Sequence, residues 1–180
     1  MEEVRTFVAK NGETITLRPA VPEDATEIIK TVSSTSLNRS YILMDKYGKD
    51  EEAEKKYITE IDRGHNLLLV AVSNDVVIGS LAALQAEGGQ NLQTAHVINI
   101  GLHLIKTFRE AGIGTHMLKY AIEWAREKGF KKLEASIFTT NKGSLTLFSH
   151  AGFCEEGTRR KQFRIGSEYI DEVFMGKILE

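Results

Sequence analysis

The 180-residue sequence has one cysteine, two prolines and one tryptophan. A single cysteine, Cys154, excludes an internal disulfide and suits a reducing compartment. Beside Phe153 it reads as a small buried hydrophobe. Two prolines make no linker, and no internal repeat or low-complexity tract interrupts the chain, so residues 1–180 read as one domain with room for a sizeable core. An excess charge of one sign is also missing. With 23 Lys and Arg against 25 Asp and Glu, the formal charge of −2 offers no bulk attraction to nucleic acid or to an acidic membrane. The most apolar runs, "LLLVAV" (67–72) and "VVIGSLAAL" (76–84), fall far below the ~18 residues of a membrane span. The opening "MEEVRTFVAKNGET" carries charge throughout and lacks the apolar stretch of a secretory signal. No spaced cluster of His, Cys and carboxylates suggests a metal. These absences predict a soluble cytoplasmic protein without metal, nucleic-acid partner or membrane.

The periodicities that are present alternate between strand and helix. "TITLRP" (14–19) alternates as a strand, and "VPEDATEIIKTVSS" reads as a helix with Pro22, Glu23 and Asp24 in its first turn and a stripe of Ala25, Ile28, Ile29 and Val32. A second helix is predicted over 50–63, with Ala53, Tyr57, Ile58 and Ile61 on one face. "NLLLVAVSNDVVIGSLAAL" predicts a hairpin turning at Asn74-Asp75. After a break at Gly88-Gly89 come a strand over 95–105 and a long helix with Ile113, Met117, Ala121, Trp124 and Ala125 inward. A strand at 131–138, a short helix at 142–150 and strands at 158–165 and 170–179 complete the chain. The sum is an α/β (α+β) fold: a mixed, largely antiparallel central sheet of about seven strands flanked by helices.

"FREAGIGTHML" (108–118) places R-x-x-G-x-G where the long helix begins. The first N–H groups of a helix lack partners and carry partial positive charge, so they form an anion site. Glycine lets that backbone approach a phosphate closely, and the Arg109 guanidinium matches phosphate oxygens. Two glycines also serve a plain strand-to-helix turn, so the motif alone leaves both readings open. No Lys-Ser/Thr pair follows, which excludes a P-loop, and the G-x-G-x-x-G spacing is absent.

Further on, "NKGSLTLFSHAGF" (141–153) reads N-x-x-S-x-x-L-F-x-x-x-G-F. Together the two motifs resemble the GNAT superfamily of N-acetyltransferases, with "ITLRPAVPEDA" similar to its usual opening. The tail "GFCEEGTRRKQFRIGSEYIDEVFMGKIL" is similar to the branch of ribosomal-protein N-terminal and small-amine acetyltransferases. The resemblance implies acetyl-CoA as acyl donor. Its pyrophosphate would lie on Arg109, Glu110, Ala111, Gly112, Ile113, Gly114 and Thr115. The pantetheine arm would pair with the backbone of Leu104, Ile105 and Lys106, and Asn141, Ser144 and Phe148 would lie along the arm and thiol end. A backbone N–H near Leu104 would polarise the thioester carbonyl. The family's frequent homodimers extend the same expectation here.

The family's proton-transfer groups are less apparent. Its glutamate on the fourth strand is here Ile98 or Asn99, and the tyrosine of its L-Y-x-x-x-G-F is Phe148. His96, Asn99 and Glu134 are the remaining candidates, each also explicable as a strand-edge or solvent-face residue. Tyr41, Met44 and Tyr47 are candidates for the acceptor mouth or for core, and Glu155, Glu156, Arg159 and Asp171 for attracting an amine or for a solvated charge run. A lysine-like amine of pKa ~10.4 is neutral in about one molecule in 2,500 at pH 7, against roughly one in ten for an α-amine of pKa ~7.7–8.0. A chain without a strong base therefore loses least on an α-amine. The expected function is acetyl transfer to a primary amine, a protein N-terminus or a small molecule, by direct attack in a ternary complex. The alternative is an acyl-CoA-binding domain without chemistry.

Overall fold

The computed structural model, which describes residues 3–36, 48 and 50–180, contains eight strands. In chain order the elements are β1 (Arg5–Val8), β2 (Thr14–Pro19), α1 (Ala25–Ser36), α2 (Glu51–Glu60), β3 (Leu67–Ser73), β4 (Val76–Gln85), β5 (Val97–Leu104), α3 (Ile113–Glu127), β6 (Lys132–Phe138), α4 (Lys142–His150), β7 (Cys154–Ile165) and β8 (Glu168–Ile178). They form one sheet in the order β1-β2-β3-β4-β5-β6-β8-β7. Every neighbouring pair is antiparallel except β5 and β6. Asn74 and Asp75 both take positive φ, 48° and 63°, the geometry of a tight hairpin turn between β3 and β4.

The larger core lies on the α3/α4 face, where Ile98, Ile100, Leu133, Ala135 and Ile137 pack with Met117, Leu118 and Trp124. A smaller core on the opposite face joins Ile28 and Val32 of α1 and Ile58 of α2 to Val70 and Val77. Helices α3 and α4 end with Schellman-type bonds, Phe130 N to Ala125 O and Phe153 N to Phe148 O, both 3.0 Å, which turn Phe130 and Phe153 inward. No helix among the described residues is long and apolar enough to cross a membrane.

The sheet has one strand more than the seven expected. Strand β1 hides in the charge-laden N-terminus because Arg5 and Phe7 point the same way. Arg5 pairs with Glu123 of α3 and lies over the Tyr120 ring, and Phe7 stacks on His116 at 3.8 Å. An arginine thus takes a packing position that a hydrophobic pattern does not register. The last two strands are also longer than expected, because register shifts in β7 break the alternation at Glu155/Gly157 and Arg159/Phe163. Cys154 is exposed, not buried as its neighbour Phe153 suggested: it opens β7, the sheet's outer edge. On α2 the buried face contains Glu54 and Ile58, while Ala53 is exposed.

The entry to α1 is held by Asp24. Its carboxylate accepts from both terminal nitrogens of Arg18, at 2.6 and 2.8 Å, and from Val21 N at 2.8 Å. The paired carboxylate raises the Arg18 pKa in turn. Asp24→Ala would leave a backbone N–H and a half-buried guanidinium without their partner. Such losses cost about 2–4 kcal/mol. A urea titration should show a lower midpoint at unchanged slope.

Candidate functional site

Strands β5 and β6 share only three parallel rungs, Val97–Lys132, Ile98–Leu133 and Asn99–Glu134. Beyond them each strand follows its other neighbour: β5 stays with β4 to Leu104–Gly79, and β6 stays with β8 to Phe138–Glu172. The sheet therefore forks. Ile105 N donates to Ile78 O of β4 at 3.0 Å, so by alternation the backbone groups of Leu102 and Leu104 turn toward the gap. The Leu104 carbonyl there accepts from Arg109 Nε at 3.0 Å, which ties the loop after β5 to the fork.

A cavity of about 560 Å³ passes through this fork. On one side it reaches Asn141, Ser144 and Phe148 of the α4 region, and on the other Ile28 and Val32 of α1 and Glu54 and Tyr57 of α2. Asn99, Gly101 and His103 of β5 and Glu134 and Ser136 of β6 line it between them. Of the residues expected from sequence it thus gathers Asn99, Glu134, Asn141, Ser144 and Phe148. His96 lies elsewhere: it is exposed in the turn before β5, where its carbonyl accepts from Lys131 N and Lys132 N. Tyr41, Met44 and Tyr47 fall outside the described residues.

Beside the cavity, the loop into α3 presents a row of backbone donors. Glu110 and Gly112 both take positive φ, 62° and 84°, and Gly112 is the N-cap of α3. No hydrogen bond is made by the N–H groups of residues 110–114 among the described residues. The two glycines do different work. Gly112 supplies the left-handed turn, whereas a Cβ on Gly114 would meet Leu147 Cδ2 at 3.0 Å and Leu102 Cδ2 at 3.6 Å, so its bare Cα seats the helix on β5 and α4. Sequence reading missed Lys10. Its N–H donates to Ala111 O at 3.1 Å, and a Cβ on Gly112 would lie 3.8 Å from its Cε, so the Lys10 stem runs beside the row of donors. Leu104, Ile105, Lys106 and Thr115 flank this loop without lining the cavity.

Several expected polar groups already have partners. Asn141 Oδ1 caps α4 by accepting from Ser144 N at 3.1 Å. Phe148 is 3% exposed and meets Phe153 edge-on at 4.9 Å. Glu134 pairs with Lys132 Nζ at 3.1 Å, and the same ammonium meets Glu156 at 2.8 Å, which raises the lysine pKa. Asp171 accepts from Lys161 N at 2.6 Å and Glu155 from Thr158 Oγ1 at 2.7 Å.

His103 is fixed between strand and helix. Thr31 Oγ1 donates to Ile28 O at 2.9 Å, so at 3.0 Å it accepts from His103 Nε2–H. His103 Nδ1 then accepts from Ser80 Oγ–H at 3.3 Å. Burial, aided by the nearby Arg109 charge, lowers its pKa to about 4, so the ring is neutral at pH 7. Burial also raises the Tyr57 pKa, with the Glu54 charge adding to it.

The comparisons fit this geometry. The description "Acetyltransferase (GNAT) family" matches residues 36–153. The chain belongs to the GNAT acetyltransferase family. It is 31% identical over 173 residues to Probable N-acetyltransferase YjcK of Bacillus subtilis (strain 168), covering 89% of this chain and 91% of the relative. Ribosomal-protein-alanine N-acetyltransferase from Brucella melitensis has the same fold, with a TM-score of 0.81 and 25% identity over 91% of this chain and 99% of that one. The fold is shared too by yncA of Salmonella typhimurium, solved with its cofactor acetyl-CoA, at a TM-score of 0.84 and 20% identity over 92% of this chain and 94% of that chain.

The neutral His103 sets a pH dependence of this GNAT domain's stability. Its folded pKa of about 4 lies below the ordinary 6.5, so between these values the unfolded chain binds the proton and the folded chain does not. Stability is therefore full above about pH 6.5 and falls as pH drops toward about 4, by roughly 3 kcal/mol at most. In His103→Gln, denaturation midpoints should start lower at pH 7 and fall less steeply across that window.

Proposed function

We propose that the chain transfers an acetyl group from acetyl-CoA to a primary amine by direct attack in a ternary complex, with the two substrates meeting in the cavity through the fork. The cavity's lining from both faces of the sheet carries this reading, because donor and acceptor can then meet within it from opposite sides.

On the donor side, the N–H groups of residues 110–114 suit the pyrophosphate, with charge added by Arg109 and Lys10. The amides of the pantetheine arm need backbone partners, and Leu102 and Leu104 turn theirs into the gap. An N–H there would also stabilise the thioester oxygen as charge develops. Asn141, Ser144 and Phe148 border the arm. No tyrosine replaces Phe148, but a thiol of pKa ~8.5 leaves tolerably as thiolate. Cys154, exposed on the outer edge strand and outside the cavity lining, is not placed to carry the acyl group.

On the acceptor side, Glu54 and Glu134 line the cavity, and no Lys or Arg does so among the described residues. That balance favours an amine over an acceptor led by a carboxylate. Asn99 and Glu134, opposite one another on the last rung, would hold the nitrogen at the fork. The fold shared with a ribosomal-protein-alanine N-acetyltransferase supports an α-amine, as does the arithmetic of amine ionisation.

Two experiments test the reading. Gly112→Glu places a bulky anion in the phosphate cradle and should weaken acetyl-CoA binding at least 100-fold by calorimetry; unchanged affinity would show that the donor lies elsewhere. Matched peptides, one with a free N-terminus and one N-blocked with an internal lysine, should be acetylated on the α-amine, as read by mass spectrometry. Exclusive lysine modification would contradict the α-amine preference. Tight binding without turnover on any amine would favour an acyl-CoA-binding domain.

A further inference from the structure

We propose that Ser136 accepts the proton of the acceptor amine while passing its own to Glu172, a relay across β6 and β8 that rests on the transfer reaction proposed above. Ser136 stands two residues beyond the last β5–β6 rung, on the stretch of β6 that has left β5. It is exposed and lines the cavity, on the sheet face opposite the buried Ala135 and Ile137. Its Oγ–H donates to Glu172 Oε1. With the hydroxyl proton committed to the carboxylate, the oxygen lone pairs are what Ser136 offers a ligand, and an ammonium or amine N–H is what they accept.

Glu172 is held for this role. It is 5% exposed, and its other oxygen lies 3.4 Å from Arg159 Nη1, whose guanidinium spreads over the Phe174 ring at 4.4 Å. Phe138, its register partner, meets Phe163 edge-on at 5.0 Å. Ser136 lines the cavity and Glu172 does not, so the hydroxyl is the relay's contact with the cavity. Two other lining groups are less suited. Both ring nitrogens of His103 are engaged, by Thr31 and Ser80, and Glu134 is drawn to the Lys132 ammonium at 3.1 Å.

The step balances. The amine nitrogen forms a bond to the thioester carbon as the carbonyl π pair moves to oxygen. The nitrogen proton passes to Ser136 Oγ, and the Ser136 proton passes to Glu172. Collapse of the intermediate breaks the C–S bond, CoA leaves as thiolate, and Glu172 returns its proton by way of Ser136 to solvent or to the thiolate. Ser136 is the catalytic residue here, and Glu172 acts through it.

Ser136→Ala, Glu172→Gln, the double variant and Ser136→Thr are compared with the wild type in thiol-release assays, using whichever amine, peptide or small molecule, the wild type acetylates. General base catalysis is worth about 10²–10⁴-fold. Each single loss should therefore lower kcat about 100-fold or more, with KM for acetyl-CoA within twofold. The double variant should be no slower than the slower single, and Ser136→Thr should recover most of kcat. Losses that multiply in the double variant, a Glu172→Gln enzyme of near-normal kcat, or a loss appearing in KM alone would overturn the relay. Because Ser136 is exposed, its alanine variant keeps the test sound even if Glu172→Gln folds poorly. A wild type that acetylates neither peptide nor any small-molecule amine overturns the transfer reading and the relay together, whereas turnover unaffected in Ser136→Ala overturns the relay alone.

Discussion

The parting of β5 from β6 after three rungs governs the rest of the site. A sheet is stable because each strand's N–H and C=O groups are met by its neighbours, and leaving them unmet in a dry interior costs free energy. Here each strand keeps one complete partner: β5 pairs with β4 through Leu104, and β6 with β8 through Phe138. Among the described residues, the inner edges of the fork go without strand partners. Arg109 meets one of those groups, the Leu104 carbonyl, and in doing so anchors the start of the donor loop. The loop, the helix it opens and the cavity therefore hang on the same local choice of pairing.

The fork also divides the chemistry between two kinds of structure. Toward α3 and α4 the available groups are mostly backbone: successive N–H groups at 110–114 and the inward-turned amides of Leu102 and Leu104. Backbone donors are fixed by the path of the chain and need no side-chain ordering to present themselves, which suits a ligand whose phosphates and amides do not vary. Toward α1 and α2 the groups are side chains. Asn99, Glu134 and Ser136 reach the cavity from the sheet, and Glu54 and Tyr57 from α2. In the proposed reaction, changing them would alter what amine fits without disturbing the donor side.

That division explains what the sequence could reveal. The donor loop is contiguous, so Arg109, Gly112 and Gly114 stand together as a motif, although of the three only Gly112 has a positive φ. Gly114 is there for the close approach of Leu147 and Leu102, which spacing alone does not disclose. The Asn74-Asp75 turn was readable for the same local reason. The partners of the acceptor side are far apart in the chain: Ser136 meets Glu172 across 36 residues, and His103 meets Thr31 across 72. No periodicity links such pairs, and a polar residue on an apolar helix face, such as Glu54, looks like an interruption until the fold shows it lining a cavity. Strand β1 was hidden by an arginine used for packing, and Cys154 was misjudged because burial of a strand's first residue depends on whether that strand lies at an edge.

His103 shows how closely stability and chemistry are bound at the fork. It sits on the cavity wall, yet its hydrogen bonds run to Ser80 on β4 and Thr31 on α1, so the ring fastens the sheet to the helix that roofs the acceptor side. Fastening requires a neutral ring, since one nitrogen must donate and the other accept. Burial and the Arg109 charge supply that condition. A histidine in this state has no lone pair left for an incoming amine. The residue type most often associated with proton transfer near neutral pH is thus spent on holding the site together, which under the proposed transfer leaves the proton to a group whose lone pairs still face the cavity.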